Sequence, residues 1–334
     1  GQTVMEVARR QSPQALRLAL SGHAEAEEVA PLLSPAHRHL AKPLRYVELE
    51  RIFDRLTWLR TLLPPGQTRT LLHHLKELPP MPATYAKLTQ ALASYQAGAN
   101  ELAAIIEQDP ALAAKLLQLV SSSYFASNGC IGDIGRAVVL IGGRAIKAMA
   151  LAVEILELPG LSSRLRRRWQ RHALLVANVS AQLASSPRDA EHAFAAGLLH
   201  NVGEIVLAMN RPEHLETVLD RARVERRPSI AVERDLQEVP HPLLGAYLLG
   251  LWGLPRALAE AVLEHHEPLT DAGSLSGVLQ LANALVGELG GDSLCDHVAP
   301  LDDETVEALE IEDELGDWRI MVAAESQRVA RLLA

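Results

Sequence analysis

A set of histidines and asparagines recurs on apolar segments in the second half of the sequence, and together these side chains could bind a metal ion. They are His172, His200 with Asn201, His241, His265 with His266, and Asn283. Histidines on separate helices can converge inside a helix bundle, where imidazole is a ligand for zinc, iron or nickel. Metal-dependent hydrolysis would call for a carboxylate directly after His200, and the sequence has Asn201 there.

The same histidines also have a purely structural interpretation. A single histidine on an apolar helix face is usually a hydrogen-bonded core residue. His265 and His266 end the segment "RALAEAVLE", and a helix C-terminus favours histidines through its dipole. Taken one at a time, each histidine is expected to be structural, and only their order along the chain argues for a shared site.

From Leu71 onward the sequence predicts helices with almost no strand. Leu and Ala dominate, and aromatic residues make up only 4% of the chain, a mixture that favours packed helices. We expect Asn100 to cap one helix and Asp109 to cap the next, with Pro110 at its first position. The predicted fold class is therefore mainly α, with a small α/β segment confined to the N-terminus.

Residues 1–63 differ because their hydrophobic period alternates between that of a strand and that of a helix. The segments "ALRLALSG" and "HRHLAKP" predict two short strands, and "YVELERIFDRLTWLRTLL" predicts an amphipathic helix. This alternation is typical of an α/β unit. The stretch Pro64-Pro65-Gly66 then predicts a linker over residues 64–70.

Net charge and cysteine content narrow the function classes. The formal net charge of -9 opposes non-specific attachment to nucleic acid or to an anionic membrane surface. Cys130 and Cys295 are the only cysteines and form no C-x-x-C pattern, so neither a disulfide framework nor a structural zinc cluster is expected. The most apolar stretch, residues 137–161, contains charged side chains and is not expected to span a membrane. We predict a cytoplasmic protein without membrane or nucleic-acid partners.

Six segments together give the sequence a specific resemblance to one family. They are "LPPMPATYAKL", "AAIIEQDPALAAKLLQLVSSSYF", "IGDIGRAVVLIGGRAIKAM", "AAGLLHNVGEIVL", "HPLLGAYLLGLWGLPRALAEAVLEHHEP" and "LQLANALV". Over residues 71–290 the chain resembles the HDOD domain, the HD-related output domain of bacterial signalling proteins. The resemblance implies an all-α domain with a first helical part over 71–160 and an HD-like part over 161–290. Residues 291–334 then form a C-terminal helical extension.

The resemblance also indicates which chemistry the chain lacks. Catalytic HD enzymes carry an acid after the second histidine and a further distal acid, and at these places this chain has Asn201 and Asn283. Asparagine is neutral and offers one carbonyl oxygen, so it cannot bridge two cations as a carboxylate can. We therefore expect no catalytic residue, no hydrolase activity and no cofactor. The vestigial site leaves one alternative open, a single transition metal held by His172, His200, His241, His265 or His266.

Residues 1–63 resemble the second half of a response-regulator receiver domain. Ser21 matches the switch Ser or Thr at a strand end, His39 falls where the family often has a switch Tyr or Phe, and Lys42-Pro43 matches the Lys-Pro pair. The phosphoacceptor Asp belongs to the first half of that fold, which this sequence does not contain. Because the retained half corresponds to a face that receiver domains commonly use for dimerisation, we predict a homodimer through this segment.

The leading hypothesis is a non-enzymatic output protein of two-component signal transduction that acts through contacts with other signalling proteins. One alternative is a metal-dependent HD-type phosphohydrolase or phosphodiesterase acting on a nucleotide or a cyclic dinucleotide. Another is a cyclic-dinucleotide receptor without turnover, in which Arg164, Arg168 and Arg171 share a helix face and clamp phosphates. A solvated arginine face is the simpler interpretation of those three residues.

Overall fold

Helices follow one another along almost all of the described chain. The computed structural model describes residues 18–21, 38–41, 46–62, 81–93, 98–122, 133–158, 162–236, 239–289 and 301–333, together with residues 4, 7, 8, 11 and 79. The fold is mainly α, as the composition and the periodicity predict.

Two short strands lie near the N-terminus. β1 (Leu18–Ser21) and β2 (Arg38–Ala41) pair in parallel, with Leu18 opposite Arg38 and Ser21 opposite Ala41. Both lie within the two segments that the sequence predicts as strands. A parallel pair requires a crossover connection between its strands, and here that connection falls outside the described residues.

The helix α1 (Tyr46–Leu62) is the predicted amphipathic helix, and it joins the N-terminal segment to the helical domain. Its Trp58 and Leu59 are buried against Gly250 of a later helix. A Cβ atom on Gly250 would lie 2.6 Å from Leu59 Cδ2, so a larger residue there would force the Leu59 side chain to move. The Arg256 guanidinium lies 5.5 Å from the centre of the Trp58 ring and adds a cation–π contact.

The first part of the helical domain is organised around one buried helix. Its helices are α2 (Ala83–Ala93), α3 (Ala99–Glu107), α4 (Pro110–Ser122), α5 (Ile134–Ile141) and α6 (Gly143–Leu156). The last of these packs against the other four. Gly142, with a φ of 89°, makes the turn that separates α5 from α6.

Of the two helix N-caps predicted in this part, one is correct and one is wrong. Asp109 Oδ1 accepts hydrogen bonds from the backbone N–H groups of Ala111 and Leu112, so it caps α4 as predicted. The Asn100 prediction is wrong, because α3 begins at Ala99 and its N-cap is Gly98, two residues before the predicted cap. Gly98 supplies the extended backbone that an N-cap needs, and Asn100 lies within the first turn.

The second part of the domain carries the histidines and asparagines that the sequence singles out. Its helices are α7 (Ser163–Leu183), α8 (Pro187–Leu199), α9 (Val202–Asn210), α10 (Pro212–Glu225), α11 (Ser229–Asp235), α12 (His241–Leu251), α13 (Arg256–Glu264) and α14 (Leu275–Glu288). Ser162, Ser186 and Ser274 cap α7, α8 and α14 with their side-chain oxygens. The helix α7 packs against both α8 and α14, so its second half is buried.

The C-terminal extension is helical, and it covers α7 from a further side. It consists of α15 (Asp303–Ala308) and α16 (Glu312–Leu333), of which α16 packs against α7. Asn178 Nδ2 donates a 2.6 Å hydrogen bond to the buried carboxylate of Glu325. This bond ties α16 to the middle of α7.

Among the described residues, one helical run has the length and composition of a membrane-spanning segment. It covers Pro187–Asn210, and 89% of its most apolar 18-residue stretch is buried inside the protein. Buried core helices pass the same test of length and composition.

Candidate functional site

The five histidines that the sequence singles out form one continuous cluster, which we call the histidine cluster. The ring centres of His172 and His200 are 5.0 Å apart, and those of His200 and His265 are 5.2 Å apart. His241 follows at 5.3 Å from His265, and His266 lies 4.2 Å from His265 and 5.1 Å from His241. The fold therefore brings together side chains from α7, from the ends of α8 and α13, and from the start of α12.

Backbone carbonyls fix the orientation of two rings in the cluster. His200 Nδ1 lies 2.7 Å from the carbonyl oxygen of Gly197, and His265 Nδ1 lies 2.6 Å from that of Val262. A carbonyl oxygen only accepts, so Nδ1 is the donor in both rings. In the neutral tautomer, Nε2 of each ring then keeps its lone pair.

A buried carboxylate fixes a third ring. His241 Nδ1 lies 3.0 Å from both carboxylate oxygens of Glu233, and the backbone N–H of His241 donates to Oε2 at 2.9 Å. Glu233 is 1% exposed and His241 is fully buried. Glu233 could not be predicted from the sequence, because α11 is a short helix in which Glu233 is followed by two further charged residues and no apolar period marks it.

Four of the five histidines form two pairs in which the Nε2 atoms face one another. His172 Nε2 lies 3.2 Å from His200 Nε2, and His241 Nε2 lies 3.4 Å from His265 Nε2. In the neutral rings of His241 and His265 both Nε2 atoms carry lone pairs, which repel at this distance. A shared proton or a metal cation between the nitrogens removes that repulsion. One ring nitrogen each of His241, His265 and His266 lies within 4.8 Å of the other two, a spacing that could accommodate one ion.

The two asparagines lie buried beside these helices. Asn201 is 6% exposed and Asn283 is fully buried. Among the described residues, neither Oδ1 nor Nδ2 of either side chain has a hydrogen-bond partner. These neutral amides cannot balance the charge of a cation pair, so the residues present suit a single soft ion held by imidazoles and do not suit two bridged ions.

Two glycines allow the helices to approach closely enough to form the cluster. A Cβ atom on Gly197 of α8 would lie 2.5 Å from Ala177 Cα of α7. A Cβ atom on Gly203 of α9 would lie 1.9 Å from the carbonyl oxygen of His241. Side chains at either position would push apart the helices that carry His172, His200 and His241.

A second buried acid lies one turn after Asn201. Glu204 is fully buried and accepts a hydrogen bond from the indole N–H of Trp169. This pair was not predicted from the sequence either. The available signal was a lone acid inside the apolar segment "VGEIVLAM", which is costly to bury without a donor.

The proposed phosphate-clamp arginines lie at the start of α7. Arg164 is exposed, whereas Arg168 and Arg171 are half-buried, and Arg171 directly precedes His172. A different arginine of this turn, Arg166, pairs with Glu157 at 2.6 Å.

The residues predicted as receiver switch positions are described only in part. Ser21 and His39 lie on β1 and β2, and Ser21 ends its strand as a switch residue would. Lys42 and Pro43 lie outside the described residues, as do the linker at residues 64–70 and both cysteines.

The chain is similar to known proteins across this same region. Residues 78–268 match the family model of the HDOD domain. A solved structure from Marinobacter aquaeolei VT8, provisionally described as a signal transduction protein, has a TM-score of 0.60 and 22% identity, covering 85% of this chain and 65% of that chain. An HDOD domain protein of unknown function from Geobacter sulfurreducens has a TM-score of 0.56 and 22% identity, covering 84% of this chain and 94% of its own.

A further solved structure and a further protein sequence also match this chain. A protein from Shewanella amazonensis SB2B, provisionally described as a phosphohydrolase, has a TM-score of 0.58 and 21% identity, covering 79% of this chain and 98% of its own. An uncharacterized protein of Treponema pallidum (strain Nichols) is 26% identical over 227 residues, which are 66% of this chain and 44% of that protein. The chain thus spans less than half the length of this relative. The structural similarities establish a shared fold, and the family match covers more than half of the sequence, so this chain belongs to the HDOD family.

Proposed function

We propose that this HDOD protein is a non-enzymatic output component of bacterial signal transduction that acts through contacts with other signalling proteins. The observation that carries the proposal is the pair of buried amides, Asn201 and Asn283, at the two places where catalytic HD enzymes have acids. Removing two negative charges from the site leaves a cation pair without the ligands that would bridge it and offset its charge.

A hydrolase assay tests this proposal directly. The untreated protein, and protein supplied with manganese or iron, are assayed against a generic phosphodiester and against cyclic dinucleotides. We expect no turnover above the level of a His200→Ala variant. Turnover that His200→Ala abolishes would overturn the proposal and favour the alternative of a metal-dependent phosphodiesterase.

We further propose that residues 1–63 are the second half of a receiver domain and that they signal through α1. The parallel pairing of β1 with β2 supports this, since receiver sheets are parallel, and Ser21 stands at the strand end that a switch residue occupies. The contact of Trp58 and Leu59 with Gly250 offers a direct path from α1 to α12, whose first residue is His241. A shift of α1 would therefore be transmitted to the histidine cluster through one helix.

The geometry of the histidine cluster favours a second candidate property, the binding of one transition metal ion. Two nitrogen ligands of a tetrahedral zinc ion lie about 3.4 Å apart, and His241 Nε2 and His265 Nε2 are separated by 3.4 Å. Histidine ligands usually donate their other N–H group to a carboxylate or a backbone carbonyl. His241 does so to Glu233, and His200 and His265 do so to carbonyls.

Metal titration tests this candidate without reference to activity. Calorimetry with Zn²⁺ or Ni²⁺ is expected to show one site per chain, absent in His241→Ala and weakened about 10- to 100-fold in Glu233→Gln. His192→Ala serves as the matched control, because His192 bonds to Arg144 and does not belong to the cluster. Equal binding by His241→Ala and the parent protein would exclude this site.

A further inference from the structure

The contact between α1 and the helical domain is concentrated at one place. Among the described helices, α12 is the one with which α1 makes its main contact. Trp58 and Leu59 supply the apolar side chains on the α1 side and are 8% and 2% exposed. Local opening costs less free energy where few apolar contacts are lost, so this contact can open while the rest of the domain stays folded.

On the α12 side, the contact is a notch at Gly250, where the helix has no side chain. Leu59 Cδ2 lies 2.6 Å, and Trp58 Cζ3 lies 3.2 Å, from the position that a Cβ atom on Gly250 would take. The guanidinium of Arg256, the first residue of α13, lies 5.5 Å from the centre of the Trp58 ring. We call the surface formed by Gly250 and Arg256 the Gly250 notch.

The residues of this contact are typical of an interface between proteins. Tryptophan and arginine are enriched among the residues that contribute most to binding, and a helix that places large apolar side chains in a groove is a common recognition mode. Arg256 also bonds to Glu260 at 2.7 Å, so its charge keeps a partner when Trp58 leaves. Another amphipathic helix with the same two side chains would therefore fit the notch.

The length of the connection between α1 and α2 lets α1 leave the notch. Residues 63–82 separate Leu62, where α1 ends, from Ala83, where α2 begins. A connection of this length can span up to about 66 Å when extended. Departure of α1 from the notch therefore does not require α2 to move.

We propose that the Gly250 notch is an exchangeable docking site, which α1 occupies within the chain and which a helix of a partner protein takes over. The partner helix is amphipathic and presents a tryptophan followed by a leucine, as α1 does. This inference rests on the proposed function in signalling and deepens it by naming the chemistry of the partner. The two can fail separately, because the proposed function is tested by turnover and the notch by helix binding.

A fluorophore-labelled peptide of residues 46–62 tests whether the notch accepts a helix from outside the chain. Fluorescence anisotropy compares the full chain with its Trp58→Ala, Leu59→Ala variant. We expect saturable binding to the variant and at least about tenfold weaker binding to the parent protein, because the tethered α1 of the parent competes for the same site. The same peptide carrying both alanines is expected not to bind.

Substitutions in the notch itself show where the peptide binds. Added to the double variant, Gly250→Leu fills the notch and is expected to abolish binding, whereas Gly316→Leu, at a position with open space around it, is expected to leave binding unchanged. Arg256→Gln is expected to weaken binding about threefold, the loss of one exposed cation–π contact. Arg234→Gln, at an exposed arginine paired with Glu267, is the matched control.

Hydrogen exchange of the parent protein tests the release of α1 without any substitution. We expect the amides of α1 to exchange at least about tenfold faster than those of the buried helix α12. Equal exchange rates in the two helices would overturn the proposal, as would no peptide binding to the double variant or equal binding to the parent. A parent dimer that becomes monomeric in the Trp58→Ala, Leu59→Ala variant, measured by light scattering, would also overturn it, since α1 of a second copy would then fill the notch.

Discussion

At the scale of single residues, the fixed orientation of three imidazoles determines what the histidine cluster can do. His200, His241 and His265 all donate from Nδ1, so their Nε2 lone pairs point toward other members of the cluster. The asparagines add no charge. Glu233 contacts the cluster through His241 Nδ1.

Glu233 should also stabilise the fold, because it satisfies both the ring and the backbone N–H of His241. We expect Glu233→Gln to lower the free energy of unfolding by about 2 kcal/mol, since a neutral amide makes weaker hydrogen bonds than a buried carboxylate. Urea unfolding at neutral pH measures this. Glu260→Gln removes an exposed partner of Arg256 and is expected to cost less than about 0.5 kcal/mol. Equal losses in the free energy of unfolding for the two variants would contradict a stabilising role for Glu233.

Glu154 makes a pH-dependent contribution to stability. Burial raises its pKa above the ordinary value of 4.5, and hydrogen bonds from the backbone N–H groups of Thr84 and Tyr85, at 3.1 Å each, only partly offset this. The folded protein therefore holds this proton to higher pH than the unfolded chain does. The free energy of unfolding must fall as pH rises from 4.5 through the raised pKa.

A Glu154→Gln variant lacks this titration and serves as the reference. Urea unfolding of both proteins between about pH 4 and pH 8 should show the parent protein losing stability relative to the variant as pH rises. A stability difference that stays constant, or that moves in favour of the parent protein, would show that burial does not control this group.

Sequence patterns predicted the histidines and asparagines of the site but not the two buried acids near them, Glu233 and Glu204. The histidines and asparagines stand out because they interrupt apolar helices, as His200 and Asn283 do. Glu233 and Glu204 were not predicted, because their roles depend on hydrogen-bond partners in other helices, His241 and Trp169. Only folding brings these partners close. Such contacts form between different helices, so a local sequence pattern does not predict them.

At the scale of the helices, two close contacts shape the site. Gly197 lets α8 approach α7, and Gly203 lets α9 approach the start of α12. Backbone contacts of this kind cannot adjust by rotating a side chain, so they set the distance between the helices that carry His172, His200 and His241.

The contact at Gly203 leads to a prediction about packing. Gly203→Ala would place a methyl group 1.9 Å from the His241 carbonyl oxygen, and we expect a loss of about 3 kcal/mol in the free energy of unfolding. Gly316→Ala is the control, since Gly316 lies in α16 with open space around it, and there alanine should add about 0.5–1 kcal/mol. Differential scanning calorimetry compares the two. Similar melting temperatures for both variants would contradict the close contact.

The helices could be predicted because the two signals that mark a helix, its apolar period and its capping residues, lie within or next to its own sequence. Asp109 and Pro110 mark the start of α4 as expected. The error at Asn100 shows the limit, since a glycine with extended backbone took the capping position without a side-chain bond. Tertiary packing decides such boundaries, and residue type alone does not.

At the scale of the whole molecule, α1 connects the N-terminal segment to the HDOD domain through Trp58 and Leu59. The opposite side of α1 exposes Tyr46 and Phe53, which are 73% and 63% accessible and lie two helical turns apart. Exposed aromatic residues in this arrangement support the proposed homodimer.

Light scattering tests the dimer. We expect the full chain to be dimeric at micromolar concentration, and a Tyr46→Glu, Phe53→Glu double variant to be monomeric because it places charges in an apolar interface. Val224→Glu is the control, since Val224 is equally exposed on α10, away from α1. A parent protein that stays monomeric on further concentration would contradict the prediction.

Two amides in place of two acids are expected to leave the site unable to hold a bridged metal pair. Elemental analysis measures the metal bound per chain in the parent protein and in the double variant Asn201→Asp, Asn283→Asp after dialysis against manganese or iron. Asn210→Asp, an asparagine bonded to the Val206 carbonyl outside the cluster, is the matched control. We predict at most one ion per chain in the parent and the control, and two in the double variant. Two ions per chain in the parent protein would show that the two asparagines do not prevent binding of a metal pair.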